Sequence, residues 1–378
     1  TVVSTGLSAA QANYSIDEGK NLSVNLSLSS PAAGNYTVSW VIEPIDSGLV
    51  STSDFSVVTG SFSILLDQTG GVINLAATEN AVVSVDKRYR LRVTFSESTQ
   101  PLILGLTIKD NDSAQVYAGH RNVCVLQNGA VKCAGGNPWG ELGNGAAAGD
   151  VLTLTPVSAP MDSGVTEVSV GTNNLCAVKA GKLYCWGYNG YGQLGIGVAN
   201  GTRYAAPQEV LNMAAGVTSI SMGYHSTCAI KAGALFCWGY NSQGQLGVGV
   251  NDYTVRPTPT PVVNMESGVT AVSTSETSTS SYGHTCAIKN GALHCWGLNN
   301  FGQLGDGTNV SSKCTPQPVR YLTSGVTAVT TGYTHTCAIK DGALYCWGQG
   351  DSGRTAEITS SNRWEPVRVE FFAGMQVT

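Results

Sequence analysis

Short runs of alternating apolar and polar residues recur along the whole chain, and many of them are bounded by glycine, proline, asparagine or serine. Alternation with a period of two is typical of half-buried strands, and frequent turn residues keep such strands short. No apolar run reaches the roughly 18 residues that a membrane-spanning helix needs. The pattern therefore predicts an all-β protein.

From residue 124 onwards the alternation is organised in five similar copies. Each copy holds two alternating runs around a two-residue turn, with a cysteine at the far end of each run, as in Cys286–Cys295 (CAIKNGALHC). The first cysteines of the copies lie 52, 52, 58 and 51 residues apart. A Pro-containing strand and a "SGVTAV" strand complete each period. Four strands in about 52 residues are typical of a β-propeller blade.

The cysteine pairs follow from the hairpin register. Turns such as Asn290-Gly291 favour the type I′ conformation. Counting outward from this turn, Cys286 faces Cys295 at a non-hydrogen-bonded position, where Cα atoms approach to about 4.5 Å. We therefore expect five disulfides, with buried free thiols or zinc ligands as alternatives; isolated pairs argue against zinc. The pairs are Cys124–Cys133, Cys176–Cys185, Cys228–Cys237, Cys286–Cys295 and Cys337–Cys346.

Five disulfides would indicate an oxidising compartment, so we expect a secreted, cell-surface or periplasmic protein. Cys314 has no counterpart in the other copies and is expected to be a free thiol or an intermolecular link. The net charge is −5 and the basic residues form no stripe, so no nucleic-acid partner is expected. The chain starts at Thr1 without a signal peptide, which indicates a processed form or a fragment.

The segments "GYTHTCAIKDGALYCWG", "YGQLGIG" and "SGVTAV" resemble the repeat of the regulator-of-chromosome-condensation family, over about residues 114–378. The resemblance implies a propeller with the "SGVTAV" strand innermost. Family members include a nucleotide exchange factor, a light receptor and a secreted β-lactamase inhibitor, so the fold alone assigns no function. The chain departs from the family in its paired cysteines and in Ala134, which stands where the other copies have tryptophan.

The number of copies leaves the ring open to three interpretations. The familiar ring of the family has seven blades, whereas this chain has five copies. We expect a closed five-blade ring. The alternatives are a chain cut within a larger ring, because the final "GMQVT" resembles the start of another "SGVTAV" strand, and a ring completed by another chain.

The first part of the chain has alternating runs but no cysteine and no repeat. It predicts an antiparallel β-sandwich, so the expected domains are residues 1–112 and 113–378. The order of its motifs, ending in Leu106–Asp112, resembles the Calx-β domain. That resemblance implies calcium binding at acidic loops, with plain surface carboxylates as the alternative; no other cofactor is expected. The candidate metal ligands are Glu18, Asp54, Asp110 and Asp112.

The sequence contains no recognisable catalytic constellation, and we expect a protein that is not an enzyme. There is no Gly-x-Ser-x-Gly, no His-Glu-x-x-His and no repeated pair of carboxylates. Four of the five histidines precede a hairpin strand, where structural hydrogen bonds are expected, and the repeated tryptophans are expected to pack the blades. The glycines of "GQLGxG" are expected at sharp bends and left-handed positions rather than in a phosphate loop.

One face of the propeller is the expected binding surface. The hairpin turns lie on the opposite face, so this loop face collects the long connections, including Ser273–Tyr282. Function often resides on such loops, and Tyr and Arg are favoured interface anchors. Packing of individual tyrosines between blades is the alternative. The candidate residues are Tyr188, Tyr191, Arg203, Tyr204, Tyr240, Tyr253, Arg256, Glu276, Tyr282, Phe301 and Tyr333.

These features favour an extracellular, non-enzymatic recognition protein, specifically a bacterial surface adhesin that binds a protein or a glycan through the loop face. The alternative is a secreted inhibitor that covers a hydrolase with the same face. A third possibility is an enzyme with its substrate in the central channel. Nucleotide exchange is disfavoured because it belongs to reducing compartments.

Overall fold

The structure is a computed structural model. It describes residues 7–17, 19–45, 54–78, 87–96, 100–109, 114–147, 149–275, 283–351 and 361–369. The chain separates into two units, Thr1–Ala114 and Gln115–Thr378. The regular elements of these ranges are all β-strands, as the alternation predicts. Within them no helix is long and apolar enough to cross a membrane.

The first unit contains two sheets around one core. The sheet orders are β1-β3-β6 and β2-β8-β7-β4-β5, with β2 parallel to β8 and the other neighbours antiparallel. Alternate residues such as Val24, Val38 and Leu91 are buried in a cluster that both sheets share, which makes a β-sandwich. The strands are β1 (Leu7–Ala9), β2 (Asn13–Asp17), β3 (Asn21–Leu28), β4 (Tyr36–Pro44), β5 (Thr59–Ile64), β6 (Gly70–Ala76), β7 (Lys87–Phe95) and β8 (Leu102–Lys109).

The described residues of the second unit form five four-stranded sheets, which are the blades. The first three blades hold β9 (Ala114–Ala118), β10 (Asn122–Gln127), β11 (Ala130–Gly135), β12 (Val151–Pro156); β13 (Val165–Val170), β14 (Asn174–Lys179), β15 (Lys182–Tyr188), β16 (Arg203–Glu209); and β17 (Val217–Met222), β18 (Ser226–Lys231), β19 (Ala234–Tyr240), β20 (Val255–Pro261). The last two hold β21 (Val269–Thr274), β22 (His284–Lys289), β23 (Ala292–Gly297), β24 (Lys313–Pro318); and β25 (Val326–Thr331), β26 (His335–Lys340), β27 (Ala343–Gly348), β28 (Arg363–Arg368).

The central hairpin of each blade has the predicted register. Asn290 and Gly291 both have positive φ, 51° and 77°, as a type I′ turn requires. Cys286 pairs with Cys295, and the other four cysteine pairs are aligned in the same way. All five disulfides are formed, with Cα–Cα distances of 4.1 Å, and Cys314 is the free cysteine. The prediction of cross-strand disulfides is therefore confirmed.

Each pair of consecutive blades shares its own hydrophobic core. In the second blade the apolar row around the disulfide includes Val178 and Leu183, which are 1% and 0% exposed. This row packs against the third blade, where it meets Ile220, Ala229 and Trp238. The other consecutive blades repeat the arrangement. Each of the two apolar sides of a blade is therefore buried only where another blade packs against that side.

A hydrogen bond from a buried tryptophan to a backbone oxygen of the preceding blade, which we call the latch, connects the two blades at each of these junctions. The indole Nε1 of Trp238 donates to the backbone oxygen of Gln193 in the preceding blade at 2.9 Å, and Thr227 Oγ1 donates to the same oxygen at 2.8 Å. Trp186, Trp296 and Trp347 donate in the same way to the backbone oxygens of Glu141, Gln245 and Gln303. The expectation that these tryptophans pack the blades is thus confirmed.

The glycines of the "GQLGxG" segment allow the loop to approach the next blade. A Cβ on Gly195 would lie 2.7 Å from Trp238 Nε1, and a Cβ on Gly192 would lie 2.7 Å from the Cα of Pro257. Both glycines also have positive φ, 70° and 71°, which confirms the predicted left-handed positions. Any larger residue here would push the loop away from the latch.

The two ends of the blade array lack a neighbour within the described residues. Val116 of the first blade is 68% exposed, whereas Val168 at the equivalent position is 3% exposed. In the fifth blade, Ile339 and Leu344 are partly exposed, although their counterparts in the second blade are buried. No hydrophobic cluster among these residues joins the fifth blade to the first. The described residues therefore form four junctions between consecutive blades. They do not show the contact between the fifth and first blades that the expected closed five-blade ring requires.

The latch predicts graded effects of substitution at Trp238. Trp238→Phe should lower the free energy of unfolding by about 1–3 kcal/mol, because it removes the buried indole donor. Trp238→Ala should lower it by about 3–5 kcal/mol, because it also leaves a cavity. Urea denaturation followed by far-ultraviolet circular dichroism measures both. The control is Trp364→Ala, at a 47% exposed tryptophan, with an expected effect of about 1 kcal/mol or less. Equal losses for Trp238→Phe and Trp364→Ala would contradict the latch.

A buried histidine lies at the junction between the fourth and fifth blades. His284 is 1% exposed, and its Nε2 lies 2.8 Å from Thr336 Oγ1 of the next blade. Burial, with a smaller contribution from His335, lowers the pKa of His284 from 6.5 to about 3. The ring is therefore neutral in the folded protein across the physiological range.

This depressed pKa makes the fold sensitive to acid. Below about pH 6.5, His284 binds a proton in the unfolded chain but not in the folded protein. The free energy of unfolding therefore decreases as the pH falls below that value. Between about pH 7 and about pH 5, the wild type should lose about 2 kcal/mol more unfolding free energy than His284→Gln, because the variant lacks this titrating group. Urea denaturation at both pH values measures it, and exposed His120→Gln should behave like the wild type. An unchanged pH dependence in His284→Gln would contradict the assignment.

Candidate functional site

The loop that follows each second hairpin strand has a fixed internal scaffold. In the second blade, Asn189 Oδ1 accepts a hydrogen bond from Leu194 N at 3.1 Å, and its Nδ2 donates to Val198 O at 2.9 Å. Gln193 Oε1 accepts from Tyr191 N at 2.9 Å. Asn137, Asn241 and Asn299 repeat the asparagine bonds in their own blades. The residue at the position of Tyr191 is therefore held in place by buried polar contacts.

Six rings on and beside these loops form a continuous series of contacts, which we call the aromatic ridge. Its members are Trp139, Tyr188, Tyr191, Tyr224, His225 and Tyr240. The Trp139 and Tyr188 centroids are 4.7 Å apart, and Tyr188 and Tyr191 are 6.4 Å apart. Tyr191 then contacts Tyr240 at 5.1 Å. The ridge runs from the first blade to the third and is partly exposed at Trp139 and at its tyrosines.

His225 belongs to the ridge as a neutral ring. It lies 3.9 Å from Tyr191 and 3.9 Å from Tyr224, measured between centroids. Burial lowers the pKa of His225 to about 4, because little water is left to solvate the charged form. The structural hydrogen bond expected of these histidines applies to His284, whereas His225 serves as part of the aromatic stack.

A guanidinium caps the first-blade end of the ridge. Arg203 begins β16, where it pairs with Tyr188, and its Cζ lies 4.8 Å from the centre of the Trp139 ring. Glu141 is buried beneath the same loop, and its Oε2 accepts a hydrogen bond from Trp139 N at 2.7 Å. Burial raises the pKa of the Glu141 carboxyl. Arg203 itself is exposed to solvent.

The structure brings together four of the predicted loop-face residues: Tyr188, Tyr191, Tyr240 and Arg203. In the part that is described, no ring contact connects Tyr204, Tyr253 or Phe301 to the ridge. Tyr204 OH accepts a bond from Asn200 Nδ2 at 3.3 Å, and Tyr253 is 66% exposed.

The remaining predicted residues have other surroundings. Arg256 contacts both carboxylate oxygens of Asp252, at 3.1 and 2.8 Å, and holds the pKa of Asp252 well below its usual range. Tyr333 is partly buried just before β26. Glu276 and Tyr282 lie outside the described residues.

The sequence prediction omits Trp139, Tyr224 and the ring contacts of His225. Trp139 lies before "GELG" as Tyr191 lies before "GQLG", so alignment of the repeats contains the signal for it. The contact between His225 and the loop of the preceding blade carries no such signal, because it joins residues of different repeats.

The predicted calcium ligands fall mostly outside the described residues, which exclude Glu18, Asp110 and Asp112. Asp54 is described, and its carboxylate lies 3.0 Å from Lys87 Nζ and accepts a hydrogen bond from the Tyr89 hydroxyl. No group of three or more His, Cys, Asp or Glu side chains that could hold a metal is found in the described ranges. Calcium binding stays a prediction.

Comparison with known families identifies the repeats. Models described as "Regulator of chromosome condensation (RCC1) repeat" match residues 180–230, 232–288, 290–339 and 326–354. The ultraviolet-B receptor UVR8 of Arabidopsis thaliana is 31% identical over 256 residues, which cover 66% of this chain and 55% of the receptor. The chain thus spans about half the length of that relative.

Solved structures show the same fold at low sequence identity. Human WBSCR16 is matched with a TM-score of 0.58 at 16% identity, over 89% of this chain and 94% of that one. Yeast RCC1 (Prp20), solved with Kap60 bound, is matched with a TM-score of 0.57 at 15% identity, over 90% of this chain and 85% of that one.

The comparisons do not support the Calx-β resemblance of the first unit. The solved Calx CBD1 domain matches with a TM-score of 0.25 over 28% of this chain, which is too low to carry an argument. The matches to the RCC1 repeat models, to UVR8 and to the two solved propellers agree. The second unit is a β-propeller built from RCC1-like repeats.

Proposed function

We propose that this protein is a non-enzymatic recognition protein that binds a protein partner through the aromatic ridge, and that it works outside the cytosol, in the specific form of a bacterial surface adhesin. The observation that carries the proposal is the continuous series of ring contacts from Trp139 to Tyr240 on one loop face. Tyr, Trp and Arg are the residues that most often dominate the energy of protein interfaces.

The rigidity of the ridge supports a binding role. Tyr191 and Trp139 lie on loops that buried asparagines and glutamine or glutamate side chains fix internally. Binding to such rings costs little conformational entropy of the loop, because the loop is already ordered before the partner binds. The ridge also offers rings and a guanidinium rather than a nucleophile, and its histidine is buried and neutral. These features favour recognition over catalysis.

A protein is the favoured partner over a glycan. Yeast RCC1 (Prp20), which shares this fold, was solved with the protein Kap60 bound, and this supports a protein as the class of partner. Aromatic rings also suit sugar faces, so a glycan remains an outcome that the experiment below must separate.

The disulfides predict a defined thiol count in protein isolated from its natural source. Without reduction, denatured protein should take up one alkylating group, at Cys314; after reduction it should take up eleven. Intact-mass spectrometry measures both numbers. Eleven groups without reduction would contradict the disulfides and, with them, the proposed compartment.

Substitutions on the ridge should abolish partner binding. The probe is a phage-displayed library of random peptides selected on the wild-type chain, with selected peptides measured by fluorescence anisotropy. Tyr191→Ala and Tyr188→Ala should each weaken binding by at least about tenfold, because they remove aromatic anchors. The matched control is Tyr321→Ala, a tyrosine that is 66% exposed on the connection between β24 and β25. Its binding should stay within about twofold of the wild type.

Two results would overturn the proposal. If Tyr188→Ala and Tyr191→Ala bind the selected peptides as the wild type does, the ridge is not the binding surface. If no peptide is selected but a glycan array gives ligands that depend on Tyr191, the partner is a carbohydrate rather than a protein.

A further inference from the structure

Arg203 is an exposed cation without a carboxylate partner in the described part of the chain. Its guanidinium faces the Trp139 ring at 4.8 Å, and no ion pair involving it is found there. Glu141 lies close enough for its carboxyl to be influenced by Arg203, yet Glu141 is fully buried and one of its oxygens is bonded to Trp139 N. The charge of Arg203 is therefore presented to solvent.

Three other arginines of the propeller, by contrast, form ion pairs. Arg256, one blade further on, contacts both oxygens of Asp252 and the hydroxyl of Thr254. Arg121 lies 3.4 Å from Asp150, and Arg320 pairs with Glu365. The contrast with Arg256 matters most, because both residues lie near the start of an outer strand, Arg203 opposite Tyr188 and Arg256 opposite Gly239.

The guanidinium carbon lies over the Trp139 ring and the side chain is exposed, so the N–H donors that do not face the ring are accessible to a ligand. A carboxylate matches two of these donors with parallel charge-assisted hydrogen bonds. The Tyr188 ring, 4.7 Å from Trp139, adds an apolar surface beside that position.

We propose that Arg203, whose guanidinium contacts the Trp139 ring, binds the carboxylate of an aspartate or glutamate in an acidic segment of the partner protein, while an apolar side chain of the same segment packs on Tyr188. This inference rests on the proposed function, since it names the chemistry that the ridge recognises. The acidic residue supplies charge complementarity, and the rings supply the apolar contact.

Peptides from the library selection described above test the inference directly. Acidic residues should be enriched next to aromatic or leucine residues. Each selected peptide is synthesised with its Asp or Glu and with the matching Asn or Gln, and binding is measured by fluorescence anisotropy. For the wild type we expect the amide peptide to bind at least about tenfold more weakly, because a charge-assisted bidentate pair is lost.

Two variants of the protein locate the effect. Arg203→Gln should bind the acidic and amide peptides equally, at about the affinity of the wild type for the amide peptide. Arg256→Gln should keep the full preference of the wild type, because that guanidinium is already occupied by Asp252.

The outcomes separate this inference from the proposed function. If the wild type binds acidic and amide peptides alike, or if Arg256→Gln loses the preference as Arg203→Gln does, the carboxylate subsite is wrong. The ridge would still stand in that case, provided that Tyr188→Ala abolishes binding. If Tyr188→Ala and Tyr191→Ala bind normally, the proposed function fails first and the subsite fails with it.

Discussion

The structure of the propeller depends on one recurring hydrogen bond, from a buried indole to a backbone carbonyl of the preceding blade. Trp238 buries a large apolar ring, and its N–H would be costly to bury without an acceptor. Gln193 supplies that acceptor, and Gly195 leaves the space for the ring. The same loop carries Tyr191, so the contact that seals a junction also positions the ridge. The stability of a junction and the position of the ridge therefore depend on the same loop.

The sequence predicts the parts of this arrangement that are local. Hairpin register, type I′ turns and the pairing of Cys286 with Cys295 involve residues within one short segment, and the structure confirms all three. The latch joins residues more than 40 positions apart through a backbone atom, which no residue type marks. The repeat pattern places Tyr188 and Arg203 on the loop face, so both could be predicted as members of it. The contact of His225 with Tyr191 joins residues of different repeats, so the pattern could not predict it.

The ends of the array show what a repeat count leaves undetermined. Closure requires the first and last blades to meet, and that contact depends on surfaces far apart in the sequence. Ala134 stands where the other four blades carry a latch tryptophan, and the first blade has no preceding blade in the described residues. Exposed Val116 at one end and partly exposed Ile339 at the other are the surfaces that interior blades bury. Five repeats therefore specify four junctions but not a ring.

The electrostatics of the ridge follow from burial rather than from composition. His225 is stacked between two tyrosines, and the lowered pKa keeps it neutral, so it adds a ring and no charge. Glu141 replaces the glutamine of the other loops, but it is buried and bonds to Trp139 N, and no ion pair joins it to Arg203 in the described residues. An acidic side chain placed inside a junction thus leaves a cation exposed on the surface above it. If the proposed carboxylate subsite is correct, that separation is what gives the aromatic ridge a preference for acidic over basic ligands.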